Sequence, residues 1–142
     1  MSKTYDPKQV KISFFGIPIS GFAEGTFITA TPSGDRFSKA VGADGEVGRA
    51  KSNNNTHEVT LTLLQVSPSN DVLNGFLQAD KLTNAGKGPL QIVDLSGTTV
   101  MMWKDAWIKT PPDVELGNEI GERAWVFDTG QIVEEAIGGN ND

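Results

Sequence analysis

This chain of 142 residues has the length of a single domain, and because it contains no cysteine it can form no disulfide, zinc–thiolate site or thiol nucleophile. Its net charge of −6 is uneven: residues 1–112 carry 11 basic and 10 acidic side chains, whereas residues 113–142 carry one and eight. The acidic segment is either a solubilising tail or a surface that repels polyanions, and it argues against a phosphate-gripping nucleic-acid binder. No apolar run approaches the ~18 residues of a membrane span. The polar N-terminus lacks a secretory core, so we expect folding in a cytoplasm.

Alternating apolar side chains predict β-strands over the first forty residues. Val10, Ile12 and Phe14 would share one face of a strand that Gly16 and Pro18 interrupt. The segments TFITAT and RFSKAV flank the turn-forming PSGD, which predicts that residues 26–41 form a hairpin.

A long polar loop is predicted next, over residues 42–56, with three glycines and then three consecutive asparagines. The strongest strand pattern of the chain follows at residues 58–66. Val59, Leu61 and Leu63 would lie on one face, and threonines and a leucine on the other, which favours a central strand.

The period changes after residue 66, and residues 69–81 are predicted to form an amphipathic helix, the only one in the chain. Ser67 can cap it, and Pro68 suits a first helical turn. A second hairpin turning at LSGT would place Met101, Trp103, Asp105 and Trp107 on one face. A last strand is predicted over residues 123–135 and a flexible end at residues 138–142. The expected fold is one mainly antiparallel β-sandwich or barrel spanning residues 1–142, with a single flanking helix.

No catalytic motif emerges from the residues able to carry chemistry. His57, the only histidine, opens a strand, lacks a Gly-x-Ser-x-Gly partner motif and is expected to be an exposed, ordinary side chain. The glycines of residues 42–48 are spaced like a phosphate loop but lead into a strand rather than a helix. Asp94, Asp105 and Asp128 are expected to be surface charges or salt-bridge partners, although an acid–base pair stays open.

Three tryptophans on strands are the remaining candidates for a binding site. The alternate spacing of Trp103, Trp107 and Trp125 favours a core or a subunit interface over a platform for stacking sugars or bases. Without a catalytic constellation, a β-rich chain with one long polar loop suggests assembly.

The run GADGEVGRAKSNNNTHEVTLTLLQVSPSNDVLN, residues 42–74, resembles the tail tube proteins of contractile-tailed (myovirus) bacteriophages. The shared order is a glycine-rich loop, S-N-N, a V-T-L-T-L strand, Q-x-S-P-S-N and a helix. The haemolysin-coregulated tube protein of type VI secretion is similar to that family. The resemblance implies a β-barrel-like sandwich with a flanking helix and a structural, non-enzymatic role without cofactor or metal.

The resemblance also implies partners. Six copies would form a ring, and rings would stack into a hollow tube that conducts DNA, inside a contractile sheath, in a virion tail assembled in the cytoplasm of a host bacterium. Baseplate and tail-completion proteins would bind the tube, a tape-measure protein would occupy its lumen, and no membrane anchor is expected. The long loop would contact a neighbouring ring or subunit, with Arg49 and Lys51 meeting acidic residues of the C-terminal third of another copy. The candidate contact residues are Gly42, Asp44, Glu46, Arg49, Lys51, Asn53, Asn54 and Asn55.

Several alternatives stay open at this point. The loop could be an ordinary flexible hairpin loop. The chain could be a small β-sandwich module that binds a sugar or peptide through its tryptophans, or an enzyme that uses strand carboxylates. Within the assembly class, a secretion-system tube, a baseplate ring or a tail-terminator ring fits the same residues as a main tube subunit.

Overall fold

A computed structural model describes residues 2–140 of the chain. Within these residues the fold consists of one α-helix, one 3-10 turn and ten strands. In chain order they are the 3-10 turn Pro7–Gln9, β1 Val10–Phe14, β2 Ile17–Pro18, β3 Ile28–Pro32, β4 Phe37–Val41, β5 Val47–Lys51, β6 His57–Leu64, α1 Ser69–Thr83, β7 Gly88–Asp94, β8 Val100–Thr110, β9 Glu122–Thr129 and β10 Ile132–Ala136.

Eight of the strands form one antiparallel sheet in the order β2-β1-β7-β8-β9-β6-β3, with β10 also paired to β8. The segment between β2 and β3 connects the two sides of this sheet. The Ile19 N–H donates to the Ile12 carbonyl on β1 at 2.9 Å, and the Ala23 N–H donates to the Thr62 carbonyl on β6 at 3.0 Å. The sheet is thereby curled around its core like a barrel. This architecture confirms the predicted mainly β, antiparallel fold with one flanking helix.

The last strand of the prediction is present as two segments on the same side of β8. Ile108 of β8 is opposite Phe127 of β9, and Trp103 of β8 is opposite Ile132 of β10. Gly130 and Gln131 interrupt the ladder between them, so β9 and β10 run along β8 in succession.

The core is lined by the inward face of the curled sheet. Val59, Leu61 and Leu63 are fully buried on alternate positions of β6, which confirms the predicted face. β6 is flanked by β9 and β3 and is therefore internal, as predicted. Each such side chain contributes roughly 1.5–3 kcal/mol by leaving water. The remaining core consists of Ile12, Phe14, Ile19, Leu73, Leu90, Ile92, Met101, Trp103, Ala106, Ile108, Trp125 and Phe127.

The helix packs on the core through its apolar stripe. Leu73 is fully buried, and the Phe76 ring lies edge-on to the Phe14 ring at 5.1 Å between centroids. Trp125 Nε1 donates to Asn70 Oδ1 at 2.9 Å, which fixes the first turn. Asn84, in a left-handed conformation, ends the helix two residues later than predicted. No helix among residues 2–140 is long and apolar enough to cross a membrane.

A bulge in β8 overturns the predicted common face of its side chains. Leu90 is opposite Trp103, yet Gly88, two residues earlier, is opposite Ala106, three residues later. The extra residue reverses the alternation, because each residue step along a strand changes the face. Met101 and Trp103 are therefore buried, whereas Asp105 and Trp107 lie on the other face.

The predicted hairpin of residues 26–41 is wrong. β3 pairs with β6, and β4 pairs with β5. Ile28 and Ala30 of β3 pack against the core, so β3 gains more beside β6 than beside β4, whose side chains are all exposed. The prediction of a single loop over residues 42–56 is also wrong, because this segment contains the tip of the β4–β5 hairpin and all of β5.

The C-terminal segment is bound to the turn between β7 and β8. The Thr98 N–H donates to the Gly139 carbonyl at 3.1 Å, and Asn140 Nδ2 donates to Asp94 Oδ2 at 2.8 Å. Residues 138–140 thus have fixed partners, in contrast to the flexible end predicted for residues 138–142. Residues 141 and 142 lie outside the part of the chain that the structure describes.

Candidate assembly surfaces

The β4–β5 hairpin, residues 37–51, is a separate two-stranded sheet that we call the arm. Every residue of both strands is exposed. The exposed side chains include three large apolar ones, Phe37 at 46% and Val41 and Val47 at 61% each. An isolated two-stranded hairpin is marginally stable in water, so the arm contributes little to the stability of the chain that carries it.

The two faces of the arm differ in chemistry, because residues directly opposite each other share a face. One face is flat and carries only small residues, Ser38, Ala40, Gly48 and Ala50. The other face, which we call the basic face, combines cations with apolar side chains and consists of Phe37, Lys39, Val41, Val47, Arg49 and Lys51.

Cross-strand pairs give the basic face its local order. The Arg49 guanidinium lies 4.4 Å from the centre of the Phe37 ring, a cation–π contact. Lys39 is directly opposite Arg49, and like charges in that position repel. An anionic partner on this face would relieve the repulsion.

The tip of the arm is a polar turn over residues 42–46. The Gly42 N–H donates to the Glu46 carbonyl at 2.7 Å, and the Glu46 N–H donates to Asp44 Oδ1 at 3.2 Å. Gly45 has a φ of +90°, which favours glycine at this position. Gly42 and Gly45 therefore serve a hairpin turn here, whereas Gly48 lies within β5, opposite Ala40.

The arm is fixed to the body by an ionic cluster at its base. Arg36 Nη2 donates to Glu135 Oε2 at 2.6 Å, and its Nη1 donates to the Asn54 carbonyl at 3.4 Å. His57 Nε2 lies 3.2 Å from the same Glu135 oxygen. Trp103 Nε1 donates to His57 Nδ1 at 3.2 Å. We call Arg36, His57, Trp103 and Glu135 the base cluster.

The protonation state of His57 follows from these contacts. Nδ1 accepts from an indole N–H, so it carries no proton, and the ring proton is on Nε2, where it donates to Glu135. Burial is the main cause that lowers the pKa of His57, against the opposing influence of Glu135. The hydrogen bond from Arg36 is the main cause that lowers the pKa of Glu135.

The prediction of an exposed, ordinary His57 is wrong, since the side chain is completely buried. The position of His57 in the alternating pattern of β6 already indicates that its side chain is buried. His57 precedes Val59, Leu61 and Leu63 at the same two-residue spacing, so it lies on the inward face of β6.

The three asparagines predicted to contact another copy take part in hydrogen bonds within the chain. The Asn55 N–H donates to Gln131 Oε1, and Gln131 Nε2 donates to the Asn53 carbonyl, both at 2.8 Å. The Asn54 side chain accepts from the N–H and hydroxyl of Thr56. Of the predicted contact residues, the structure places Gly42, Asp44, Glu46, Arg49 and Lys51 on the arm and Asn53, Asn54 and Asn55 beside its base.

A second exposed surface is the loop between β8 and β9, residues 111–121, which we call the acidic loop. It presents Asp113, Glu115 and Glu119 beside three highly exposed apolar side chains. Those three are Val114, Leu116 and Ile120, exposed at 72%, 77% and 64%. The charge imbalance of the C-terminal third already points to these carboxylates, and their interleaving with large apolar residues distinguishes the segment from a solvated loop.

The end of the acidic loop is held firmly. The Gly121 N–H donates to Gln65 Oε1, and the Gln65 N–H donates to the Gly121 carbonyl, both at 2.9 Å. The loop therefore projects from the end of β6 where Leu64 lies.

Strand carboxylates have structural partners. Asp94 Oδ1 accepts from the N–H and hydroxyl of Ser96. The Ser96 hydroxyl is the main cause that lowers the pKa of Asp94, so this carboxylate stays ionised and orders a turn.

The other two carboxylates, of Asp105 and Asp128, form no ion pair among residues 2–140. Asp128 is opposite Glu58, which accepts from Lys109 Nζ at 2.9 Å. The Gly130 N–H donates to the backbone carbonyl of Asp105 at 2.7 Å. Both side chains are half-buried, and the expectation that they are surface charges or salt-bridge partners stays a prediction.

Two of the three tryptophans are unavailable to a ligand. Trp103 and Trp125 are 0% and 4% exposed and belong to the core, as their spacing favoured. Trp107 is half-buried on the other face of β8. The three tryptophans therefore do not form a common platform on which a sugar or base could stack.

Known proteins resemble this chain in sequence and in fold. The family model described as the bacteriophage PhiTE tail tube protein matches residues 13–138. The structural protein ORF10 of Pseudomonas phage KPP10 is 29% identical over 134 residues, which cover 89% of this chain and 78% of that protein.

Three solved structures share the fold at high coverage. A chain of the anti-feeding prophage tube-terminating cap has a TM-score of 0.64 at 13% identity, covering 96% of this chain and 94% of that chain. For the PVC extracellular contractile injection system in its extended state, a chain of the sheath/tube terminator gives 0.65 at 12% identity, covering 95% and 99%. A chain of the PVC sheath–tube complex gives 0.65 at 12% identity, covering 97% and 93%.

Proposed function

This chain belongs to the bacteriophage PhiTE tail tube protein family, and we propose that this tail tube subunit closes into hexameric rings that stack into a hollow tube. The proposed role is structural. Each subunit forms part of the tube wall, so the function depends on the contacts between copies.

The arm is the observation that carries this proposal. Ten exposed strand residues on a separate hairpin are of little use to the stability of a monomer, whose core is complete without them. Three large apolar side chains on such a hairpin favour burial against another molecule. We therefore assign the arm, with Gly42, Asp44, Glu46, Arg49 and Lys51, to contacts between copies.

Ring closure requires a second kind of contact. In the described sheet β3 pairs only with β6, so its other edge is free to pair with another chain. Identical subunits that pair head to tail form a ring when the rotation between neighbours closes. We propose that this sheet edge faces the neighbour within the ring.

A tube of this composition suits the passage of DNA. The chain carries a net charge of −6, and an acidic lumen repels phosphates and lets a duplex slide. We propose that the tape-measure protein and then DNA occupy the lumen.

Other partners follow from the kind of particle. The fold is shared with a chain of a sheath–tube complex, and we propose a contractile sheath around the tube of this protein as well. Baseplate and tail-completion proteins would bind the two ends of the tube. The site of action would be the virion tail, after assembly in the cytoplasm of the host bacterium, and no step of this role requires catalysis.

A terminal ring is the second candidate. The chain is as similar in fold to a tube-terminating cap as to a chain of a sheath–tube complex, with TM-scores of 0.64 and 0.65. A terminator would form single rings that cap a tube, whereas a main subunit would form long stacks.

Negative-stain electron microscopy of the purified chain at low and high concentration tests the proposal. We expect six-fold rings at low concentration and hollow tubes of many rings at high concentration. Single rings at every concentration would identify a terminator instead. A monomer at every concentration, confirmed by sedimentation velocity, would contradict the proposal.

A further inference from the structure

The arm and the acidic loop lie at opposite ends of the molecule. Pro32, the last residue of β3 before the arm, is opposite His57 at the start of β6. Glu122, the first residue after the acidic loop, is opposite Leu64 at the end of β6. At about 3.4 Å per residue, these two ends of β6 are roughly 24 Å apart.

The two surfaces are complementary in charge and in apolar content. The basic face of the arm carries Lys39, Arg49 and Lys51, and the acidic loop carries Asp113, Glu115 and Glu119. Each set of charges is interleaved with exposed apolar side chains. These are Phe37, Val41 and Val47 on the arm and Val114, Leu116 and Ile120 on the loop.

Neither set of charges forms an ion pair with another described residue of the same chain. The ion pairs among residues 2–140 are Arg36–Glu135, His57–Glu135 and Lys109–Glu58, and none includes the basic face or the acidic loop. The opposed Lys39 and Arg49 repel each other until an anion approaches.

We infer that the basic face of the arm binds the acidic loop of a second copy of this chain in the next ring of the stack. The inference rests on the proposed function and specifies its partner surface. Because the two surfaces are at opposite ends of β6, each copy can use both at once, with one neighbour on either side. Such a contact is heterologous, so it extends without limit and gives the tube a direction.

Charge reversal of each surface provides the first test. Lys39→Glu, Arg49→Glu and Lys51→Glu together place carboxylates against carboxylates. Asp113→Lys, Glu115→Lys and Glu119→Lys place lysines against lysines. We expect each triple variant to raise the protein concentration needed for tubes by at least about tenfold, because apposed like charges oppose binding. A chain carrying all six changes restores opposite charges and should form tubes near the wild-type concentration.

A matched control separates this contact from net charge. Lys81→Glu, Lys87→Glu and Lys104→Glu reverse the same number of exposed cationic side chains outside the arm. This variant has the net charge of the arm variant and should form tubes as the wild type does.

Cysteine cross-linking gives a second, independent test, because the chain has no cysteine of its own. Tubes assembled from a mixture of Val47→Cys and Leu116→Cys chains should form disulfide-linked dimers on mild oxidation. Each chain then carries a single cysteine, so every disulfide joins two copies, and it forms only where their Cα atoms come within about 7 Å. Tubes of either variant alone should give far less dimer.

The outcomes distinguish the inference from the proposed function. Wild-type chains that form no tubes would overturn both. Wild-type tubes whose assembly is unaffected by either reversal, or is not restored by the six-residue exchange, would overturn the inference alone. Tubes of the mixed cysteine chains that do not cross-link would overturn it as well.

Discussion

The curled sheet and the arm are both antiparallel β-structure, yet they follow opposite rules. Along β6 every second side chain is buried, whereas along β4 and β5 every side chain is exposed. The sheet is stabilised by the water that its apolar face excludes, and the arm only by cross-strand pairs. We therefore attribute the fold of one copy to the sheet, and we propose contacts between copies as the role of the arm.

The base cluster is where the two regions meet. Arg36 immediately precedes the arm, and its partner Glu135 also accepts from His57, whose ring is hydrogen-bonded to Trp103 in the core. These contacts hold the base of the arm in place and leave the side chains of its two strands exposed.

Removing the largest core side chain should give the largest loss of stability. Trp103→Ala creates a cavity and leaves His57 Nδ1 without its donor, so we expect the free energy of unfolding to fall by about 3–5 kcal/mol. Urea denaturation followed by circular dichroism measures it. Phe37→Ala on the arm should change the same quantity by less than about 0.5 kcal/mol. Equal losses from both variants would contradict the division between body and arm.

Breaking the base cluster should have an intermediate effect. Arg36→Ala leaves Glu135 with a buried neutral histidine as its remaining partner, and we expect a loss of about 1–2 kcal/mol in unfolding free energy. Lys109→Ala is the matched control, because the Lys109–Glu58 pair is about half exposed and should matter by less than about 0.5 kcal/mol. A larger loss of unfolding free energy in Lys109→Ala than in Arg36→Ala would contradict the claim that the base cluster contributes more to stability than an exposed ion pair.

The same cluster predicts how stability depends on pH. Because the folded-state pKa of His57 lies below its ordinary value of 6.5, the unfolded chain binds more protons there. The stability that neutral His57 contributes is complete above pH 6.5 and is lost as pH falls through the lowered folded-state pKa. The lowered pKa of Glu135 adds a second loss, which begins below the ordinary glutamate value of 4.5.

Urea unfolding at pH 7.5 and pH 5.5 isolates the contribution of His57. We expect wild-type stability to fall between these pH values by more than that of His57→Gln, which has no imidazole to protonate. Equal decreases in the two proteins would show that other groups cause the pH dependence.

Shortening the arm should have the smallest effect on stability and abolish assembly. Replacing residues 38–50 with a short Gly-Ser linker leaves the base cluster and the three asparagines in place. We expect the free energy of unfolding to change by less than about 1 kcal/mol, while tubes disappear from electron micrographs. Loss of the folded circular dichroism signal would show that the arm belongs to the core, and persistent tubes would show that it is dispensable for stacking.

Local periodicity was sufficient for the parts of the fold in which burial follows the sequence spacing. The alternation at Val59, Leu61 and Leu63 predicts β6, and the helical spacing of Val72, Leu73, Phe76 and Leu77 predicts α1. Both elements bury one regular face, so the pattern and the structure carry the same information.

Periodicity was insufficient where pairing partners or geometry decided the outcome. The partner of β3 depends on which strand offers it a core to cover, and no local pattern records that choice. The bulge in β8 inserts one residue into a regular alternation, so Asp105 and Trp107 were assigned to the wrong face. The buried His57 was missed because its residue type suggested an exposed side chain, although its register indicated the inward face.

The candidate site was predicted in part. Glycines and charges point to residues 42–51, which form the tip and second strand of the arm, and the charge imbalance points to the C-terminal third. Asn53, Asn54 and Asn55 were grouped with the arm because polar residues in a row resemble a free loop. The hydrogen bond between Asn55 and Gln131 joins segments that are distant in sequence, and the one between Asn54 and Thr56 depends on side-chain geometry. Neither can be read from the local pattern.

Hydrogen exchange of the same chain, as dispersed monomer and as assembled tube, tests the division between body and arm most directly. We expect the amides of β6 to exchange slowly in both states, and those of β4 and β5 to exchange rapidly in the monomer and at least about tenfold more slowly in the tube. Arm amides that exchange equally fast in both states would contradict the assignment of the arm to contacts between copies.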